Sequence, residues 1–89
     1  MNHVEGENKA DIMLYAISTC GWCKKTKRLL QDLNVAYDYV DVDLLDEDKK
    51  EEIKKEVKEC NPHLSYPTLK INNRCILGFK EQKIREALE

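Results

Sequence analysis

This 89-residue chain has no excess of basic residues, no membrane-length apolar run and no apolar leader. Each absence removes a class of function. A formal net charge of -2 leaves no surplus of cations to neutralise phosphates, which argues against general nucleic-acid binding. The longest apolar runs fall far short of a membrane span. Met1 to Gly6 is polar and lacks the hydrophobic centre of a signal peptide. The four cysteines therefore do not read as a secreted disulfide framework, and the cytoplasm is the expected compartment. There is also no linker and no internal repeat. Residues 1–11 read as a flexible polar lead-in and 12–89 as one small domain with a charged shell.

The feature that carries chemistry is Cys20-Gly21-Trp22-Cys23, directly after the apolar run 12–17. In a cytosolic protein a Cys-x-x-Cys is catalytic or metal-binding. At a strand–helix junction the two thiols lie one helical turn apart, close enough for a disulfide, and the first faces the positive end of the helix dipole. Lys24, Lys25, Lys27 and Arg28 follow within two turns, against the single acid Asp32. Both effects favour a thiolate at Cys20; in such motifs the thiol pKa drops from about 8.5 to roughly 3.5–7.5. Cys23, a turn further in, is expected to stay protonated and less accessible. That asymmetry suits a two-step exchange in which Cys20 attacks a disulfide and Cys23 displaces the product.

Around the motif the pattern reads β-α-β-α-β-β-α. Residues 12–17 form a strand buried on both faces, and Ser18 or Thr19 can cap a helix from near Cys20 to about Leu33. Its inward face is Cys23, Thr26, Leu30 and Leu33, with Asn34 as a stop. Residues 36–43 make a second strand, and a charged helix over about 46–60 has only Ile53, Val57 and Cys60 as its inward stripe. Residues 68–71 and 74–77, around Asn72-Asn73, read as a β-hairpin in which Cys75 fills the inner face. A last helix carries the pair Ile84 and Leu88. The first two strands, joined by a helical crossover, are expected to be parallel.

A rival reading of the motif is half a zinc site. Cys60-Asn61-Pro62-His63 is a Cys-x-x-His, so Cys20, Cys23, Cys60 and His63 formally make a Cys₃His set. Against it, the first pair lies at a buried junction and Cys60 occupies an inward helical stripe, so no metal is assigned and His63 is expected in an exposed loop. A regulatory disulfide between Cys60 and Cys75 is an open alternative, although nothing in the spacing requires it. Tyr66-Pro67-Thr68 is the second informative element. A proline before a strand is a candidate cis peptide that would offer the backbone of residue 66 to an extended substrate segment, although an ordinary trans proline is the more frequent case.

With these residues in place, the chain resembles the glutaredoxin branch of the thioredoxin-like superfamily over residues 12–88. The resemblance is carried by Ser18-Thr19-Cys20-Gly21-Trp22-Cys23, Tyr66-Pro67-Thr68 and Leu77-Gly78-Phe79, in that order and spacing. It implies an α/β thioredoxin-like fold with a four-stranded mixed sheet and helices on both faces. It further implies a cis Pro67, an attacking Cys20 and a resolving Cys23, and it puts Trp22 on the rim as a partner contact. Gly21, Trp22, Tyr66, Pro67, Thr68, Gly78 and Phe79 then form the substrate surface, with Lys24 and Lys25 as its electrostatic border. The implied protein is a monomeric oxidoreductase with no bound cofactor, acting on protein disulfides.

Departures from the family pattern narrow the expectation. Ile17 stands where glutathione-using relatives usually have lysine, and Gly78-Phe79-Lys80-Glu81 replaces their Gly-Gly followed by a polar-acidic pair. This run looks more like redoxins that serve ribonucleotide reductase and the short glutaredoxin-like proteins of archaea and anaerobic bacteria. Those are generally recharged by a flavin- or ferredoxin-linked reductase. The alternatives are a glutathione-dependent glutaredoxin and, in a different class, a zinc- or iron–sulfur-binding module. Gly21 in place of the common proline is a feature of some cluster-binding relatives, which normally recruit glutathione as a ligand.

Overall fold

Alternate residues of Ile12–Ala16 go to opposite faces of a sheet. Ile12, Leu14 and Ala16 turn to one side, Met13 and Tyr15 to the other, and all but Met13 are buried. That double burial puts the segment at the centre. The computed structural model, which describes residues 2–88, runs β1 (Asn2–Val4), β2 (Ile12–Ala16), α1 (Gly21–Asp32), β3 (Tyr37–Asp41), a short 3₁₀ turn (Val42–Leu44), α2 (Glu47–Cys60), β4 (Thr68–Ile71), β5 (Arg74–Leu77) and α3 (Glu81–Ala87). Sheet order is β1-β3-β2-β4-β5. β2 pairs parallel with β3, Ala16 beside Asp41, and antiparallel with β4, Tyr15 beside Thr68. The fold is thioredoxin-like, with helices on both faces.

The sheet has five strands, not the expected four. Residues 2–4, read in the sequence as part of a polar lead-in, add an antiparallel edge strand to β3. Their burial is slight, so the hydrophobic pattern carried no signal. Polar and backbone bonds hold the segment instead: His3 Nδ1 lies 2.7 Å from Asp38 Oδ1, and Glu7 exchanges backbone hydrogen bonds of 2.8 Å with Asn34 and Ala36. Gly6 permits this approach, because a Cβ there would sit 2.5 Å from the Val35 carbonyl carbon.

Two apolar clusters flank the sheet. On one face Leu14, Leu30, Leu69 and Ile84, each fully buried, join α1 and α3 to the strands. On the other, Val57 of α2 packs with Tyr15, Val40 and Val42. The Tyr15 hydroxyl adds a 3.2 Å hydrogen bond to Glu56, and burial with the Glu56 charge pushes that phenol up to about 12. Asp46 caps α2 by accepting from the Lys49 N–H at 2.9 Å. Asn34 (φ 55°) ends α1 and Asn72 (φ 54°) turns the hairpin, both in the left-handed region that asparagine tolerates.

Two side-chain placements depart from expectation. Cys20, not Ser18 or Thr19, is the N-cap of α1. Cys75 is exposed and does not fill the inner face; Ile76 does, and Cys75 is disulfide-bonded to Cys60 at the end of α2. The period-2 pattern of a four-residue strand cannot tell the two faces apart when Cys and Ile are adjacent. Truncating the fully buried Leu30 to alanine is expected to cost about 2–5 kcal/mol of unfolding free energy. The urea midpoint reads this, and an unchanged midpoint would contradict its place in the core.

Candidate active site

The β2–α1 junction is built from short-range bonds. The chain leaves β2 at Ala16, and the Cys20 N–H donates to the Ile17 carbonyl at 3.0 Å, which folds Ser18-Thr19 into a tight turn. Cys20 then stands at the head of α1 in extended backbone geometry, its Sγ accepting from the Cys23 N–H at 3.2 Å. A helix N-terminus and a directed N–H both stabilise negative charge on that sulfur. Cys20 is half-buried and Cys23 is 1% exposed, so the two sulfurs differ sharply in access. Burial first, and then the hydrogen bond and charge of Cys20, push the Cys23 thiol up to about 12.

Asp43 holds the same turn from the 3₁₀ turn that follows β3. Its carboxylate accepts from the Ser18 N–H at 2.8 Å and from the Ser18 hydroxyl, and these bonds hold it below the usual carboxylate range. The sequence reading missed this residue. In one dimension it is one acid among ten in residues 36–59; only the parallel pairing of β2 with β3 brings its strand end beside Ser18.

Opposite Cys20 lies the loop 61–67. The Tyr66–Pro67 peptide is cis, and the Tyr66 carbonyl oxygen is 3.9 Å from Cys20 Sγ. Asn61, 1% exposed, organises the loop: its Nδ2 donates to the Ser65 carbonyl (3.1 Å), Ser65 Oγ (2.7 Å) and Thr68 Oγ1 (3.2 Å). The buried Thr68 hydroxyl in turn donates to the Ser65 carbonyl at 2.8 Å, so Thr68 supports the loop from beneath. Gly78, at φ 81°, donates its N–H to the Pro67 carbonyl at 2.8 Å.

Trp22, Tyr66, Pro67, Gly78, Phe79 and Lys80 line an open groove of about 300 Å³ beside the cysteines. Trp22 is 57% exposed, stacks on Phe79 with ring centroids 5.8 Å apart, and carries the Lys25 ammonium 4.5 Å above its ring. Of the sequence candidates, Trp22, Tyr66, Pro67, Gly78, Phe79 and Lys25 therefore come together with the two cysteines. Lys24 is exposed in the first turn of α1. A Cβ on Gly21 would meet nothing within 4 Å, so space does not demand glycine there. Lys27 turns away to Asp41 (3.3 Å) and the Tyr39 ring (4.0 Å). A larger depression of about 480 Å³, lined by His3, Asp38, Met13 and Lys70 among others, includes neither cysteine. Among the described residues no three of His, Cys, Asp and Glu converge to hold a metal ion. Cys60 is bonded to Cys75, and His63 is exposed.

A dithiol one turn apart, with one sulfur accessible and one sealed beneath it, can cycle between two thiols and a disulfide. Comparison with known proteins agrees. The glutaredoxin family model matches residues 12–76. The chain belongs to the glutaredoxin family. This glutaredoxin is 35% identical over 78 residues to a glutaredoxin-like 8.6 kDa protein in the rubredoxin operon of Clostridium pasteurianum, covering 88% of this chain and 97% of that one. Its fold superposes on a glutaredoxin from Methanosarcina mazei Go1 (TM-score 0.92, 51% identity, 98% of this chain and 85% of that chain). The match to methanoredoxin of Methanosarcina acetivorans has a TM-score of 0.90 at 51% identity, over 93% of this chain and 88% of that one. The family's activity, thiol–disulfide oxidoreduction, is the activity of this glutaredoxin. No helix among its described residues is long and apolar enough to cross a membrane.

A thiol raised by burial reacts only as rising pH removes its proton. In a Cys20→Ser protein, alkylation of Cys23 is therefore expected to accelerate by about tenfold per pH unit from about pH 7 to about pH 9, with no plateau. A plateau within that window would show that Cys23 is not held protonated.

Proposed function

We propose that this glutaredoxin reduces protein disulfides, with Cys20 as the attacking and Cys23 as the resolving sulfur. The observation that carries the proposal is the asymmetry of the pair: a half-exposed Cys20 receiving the Cys23 N–H at 3.2 Å, above a sealed Cys23. The Cys20 thiolate attacks one sulfur of the substrate disulfide. That bond breaks, and the released substrate sulfur takes a proton from solvent. Cys23 then loses its proton and attacks Cys20 Sγ, expelling the second substrate sulfur and leaving a Cys20–Cys23 disulfide. The expelled sulfur takes up the proton that Cys23 gave up. The substrate has gained two electrons and two protons: both electrons and one proton come from the Cys20–Cys23 pair, and the other proton comes from solvent.

Tyr66 presents its backbone to an extended substrate segment, and the Trp22–Phe79 stack covers the flank of the incoming chain. Lys24 and Lys25 border this surface and Gly21 leaves it open. The protein works as a cytoplasmic monomer without a bound cofactor. Its oxidised pair is recharged by a flavin- or ferredoxin-linked reductase and not by glutathione. Ile17 at the usual lysine position supports this reading, as does Phe79, whose ring closes on Trp22 next to the altered Gly78-Phe79-Lys80-Glu81 run. The clostridial relative's placement in a rubredoxin operon points the same way.

Two measurements test this. Cys23→Ser is expected to abolish multiple-turnover reduction of a protein disulfide; retained turnover would refute the resolving role. The oxidised protein is expected to be recharged by a ferredoxin-dependent or thioredoxin-reductase-type system and only slowly by glutathione with its reductase. Efficient glutathione turnover would overturn that assignment.

A further inference from the structure

The Cys60–Cys75 bond lies outside the pair just described, and neither of its cysteines belongs to the two apolar clusters. Packing of the core therefore does not account for it. The bond joins the last residue of α2 to β5 across a sequence separation of 15, with the Cα atoms 5.7 Å apart. Enclosed in that ring are the loop 61–67 and all of β4. Each end is set next to a hydrogen bond that shapes the loop. Cys60 precedes Asn61, whose buried amide makes three bonds to Ser65 and Thr68. Cys75 lies on β5, where the next residues lead to Gly78 and its 2.8 Å bond to the Pro67 carbonyl. Between those two anchors the Tyr66 carbonyl stands 3.9 Å from Cys20 Sγ.

We infer that Cys60–Cys75 is a second redox site, and that its closure holds the Tyr66–Pro67 loop in the geometry that grips an extended substrate. The inference rests on the proposed role of Tyr66 in receiving a protein disulfide. Opening the bond frees the C-terminus of α2 from β5 and releases the peptide that carries Asn61. The loop's three side-chain bonds then have to hold it without a covalent frame, and ordering it becomes part of the cost of binding.

The chemistry of opening follows from exposure. Cys75 is exposed and Cys60 half-buried, so an incoming thiolate from a dithiol reductant reaches Cys75 Sγ. The Cys60–Cys75 bond breaks, Cys60 leaves as a thiolate and takes a proton, and the reductant's second thiol displaces Cys75. One dithiol is oxidised to a disulfide while the Cys60–Cys75 pair gains two electrons and two protons. The form with its active pair open and its brace closed is obtained by titration with limiting dithiol, keeping the fraction in which alkylation marks only Cys20 and Cys23.

The test compares single-turnover reduction of insulin by three proteins. One is wild type reduced only at Cys20 and Cys23, one is wild type taken to four thiols by excess dithiol and desalted, and one is the fully reduced Cys60→Ser/Cys75→Ser variant. Alkylation and peptide mapping establish each thiol state. The two open forms are expected to need about five- to tenfold more insulin for half-maximal rate, with the maximal rate unchanged. Their rate on a small disulfide such as bis(2-hydroxyethyl) disulfide, which has no extended segment to grip, is expected to match that of the braced form. Should the double variant fail to fold, the four-thiol wild type carries the comparison. Equal insulin dependence in braced and open forms would overturn the inference, and so would equal losses on both substrates or mapping that finds no Cys60–Cys75 bond in the oxidised protein. Failure of braced wild type to reduce insulin at all would instead overturn the functional reading on which the inference rests.

Discussion

The hydrogen bond from the Cys23 N–H to Cys20 Sγ is the interaction on which the rest of the structure converges. It exists only because Cys20 occupies the N-cap of α1, where backbone donors have no carbonyl partners of their own. One residue thereby does two jobs. Cys20 starts the helix in the place a serine or aspartate usually takes, and the helix supplies its sulfur with a directed donor and a favourable dipole. The same helical turn carries Cys23 down into the apolar cluster, where burial keeps it a thiol. The difference between the two sulfurs is thus a property of helix geometry and burial, with the lysines of α1 secondary. Lys27 is spent on Asp41 and Tyr39, and Lys25 on Trp22.

Everything around that bond fixes its surroundings. Asp43 clamps Ser18 from the 3₁₀ turn that follows β3, so the turn leading into Cys20 is held by a side chain just beyond the end of the neighbouring parallel strand. Asn61 plays the corresponding part for the opposite wall, with Thr68 beneath it and Gly78 at its end. The cysteines therefore stand between two hydrogen-bonded walls, one tied to the 3₁₀ turn after β3 and the other to the start of β4. In the proposed reaction this matters because in-line attack by one sulfur on another needs a narrow range of approach.

Much of this was legible in the sequence, for identifiable physical reasons. Ile12–Ala16 is apolar on both faces, so its central place followed directly, and the Asn72-Asn73 turn and the start of α2 near residue 46 are local signals that fold as they read. The gathering of Trp22, Tyr66 and Phe79 around the cysteines was implied by the resemblance to glutaredoxins. Most of what was not legible depends on contacts between residues distant in sequence. β1 buries little and is held by His3–Asp38 and by the close approach at Gly6. Asp43 is indistinguishable from its acidic neighbours until β3 pairs with β2. Cys75 and Ile76 differ by one step of strand register, and only the position of α2 decides which of them meets Cys60.

The central claim is that Cys20, and no other sulfur, receives the substrate. Incubating the Cys23→Ser protein with a protein disulfide, then digesting and mapping the trapped species by mass spectrometry, tests this most directly. The account predicts one intermolecular disulfide per chain, joined to the peptide that contains Cys20, with Cys60 and Cys75 still linked to each other. A substrate peptide attached to Cys60 or Cys75, or no mixed disulfide at all, would contradict it.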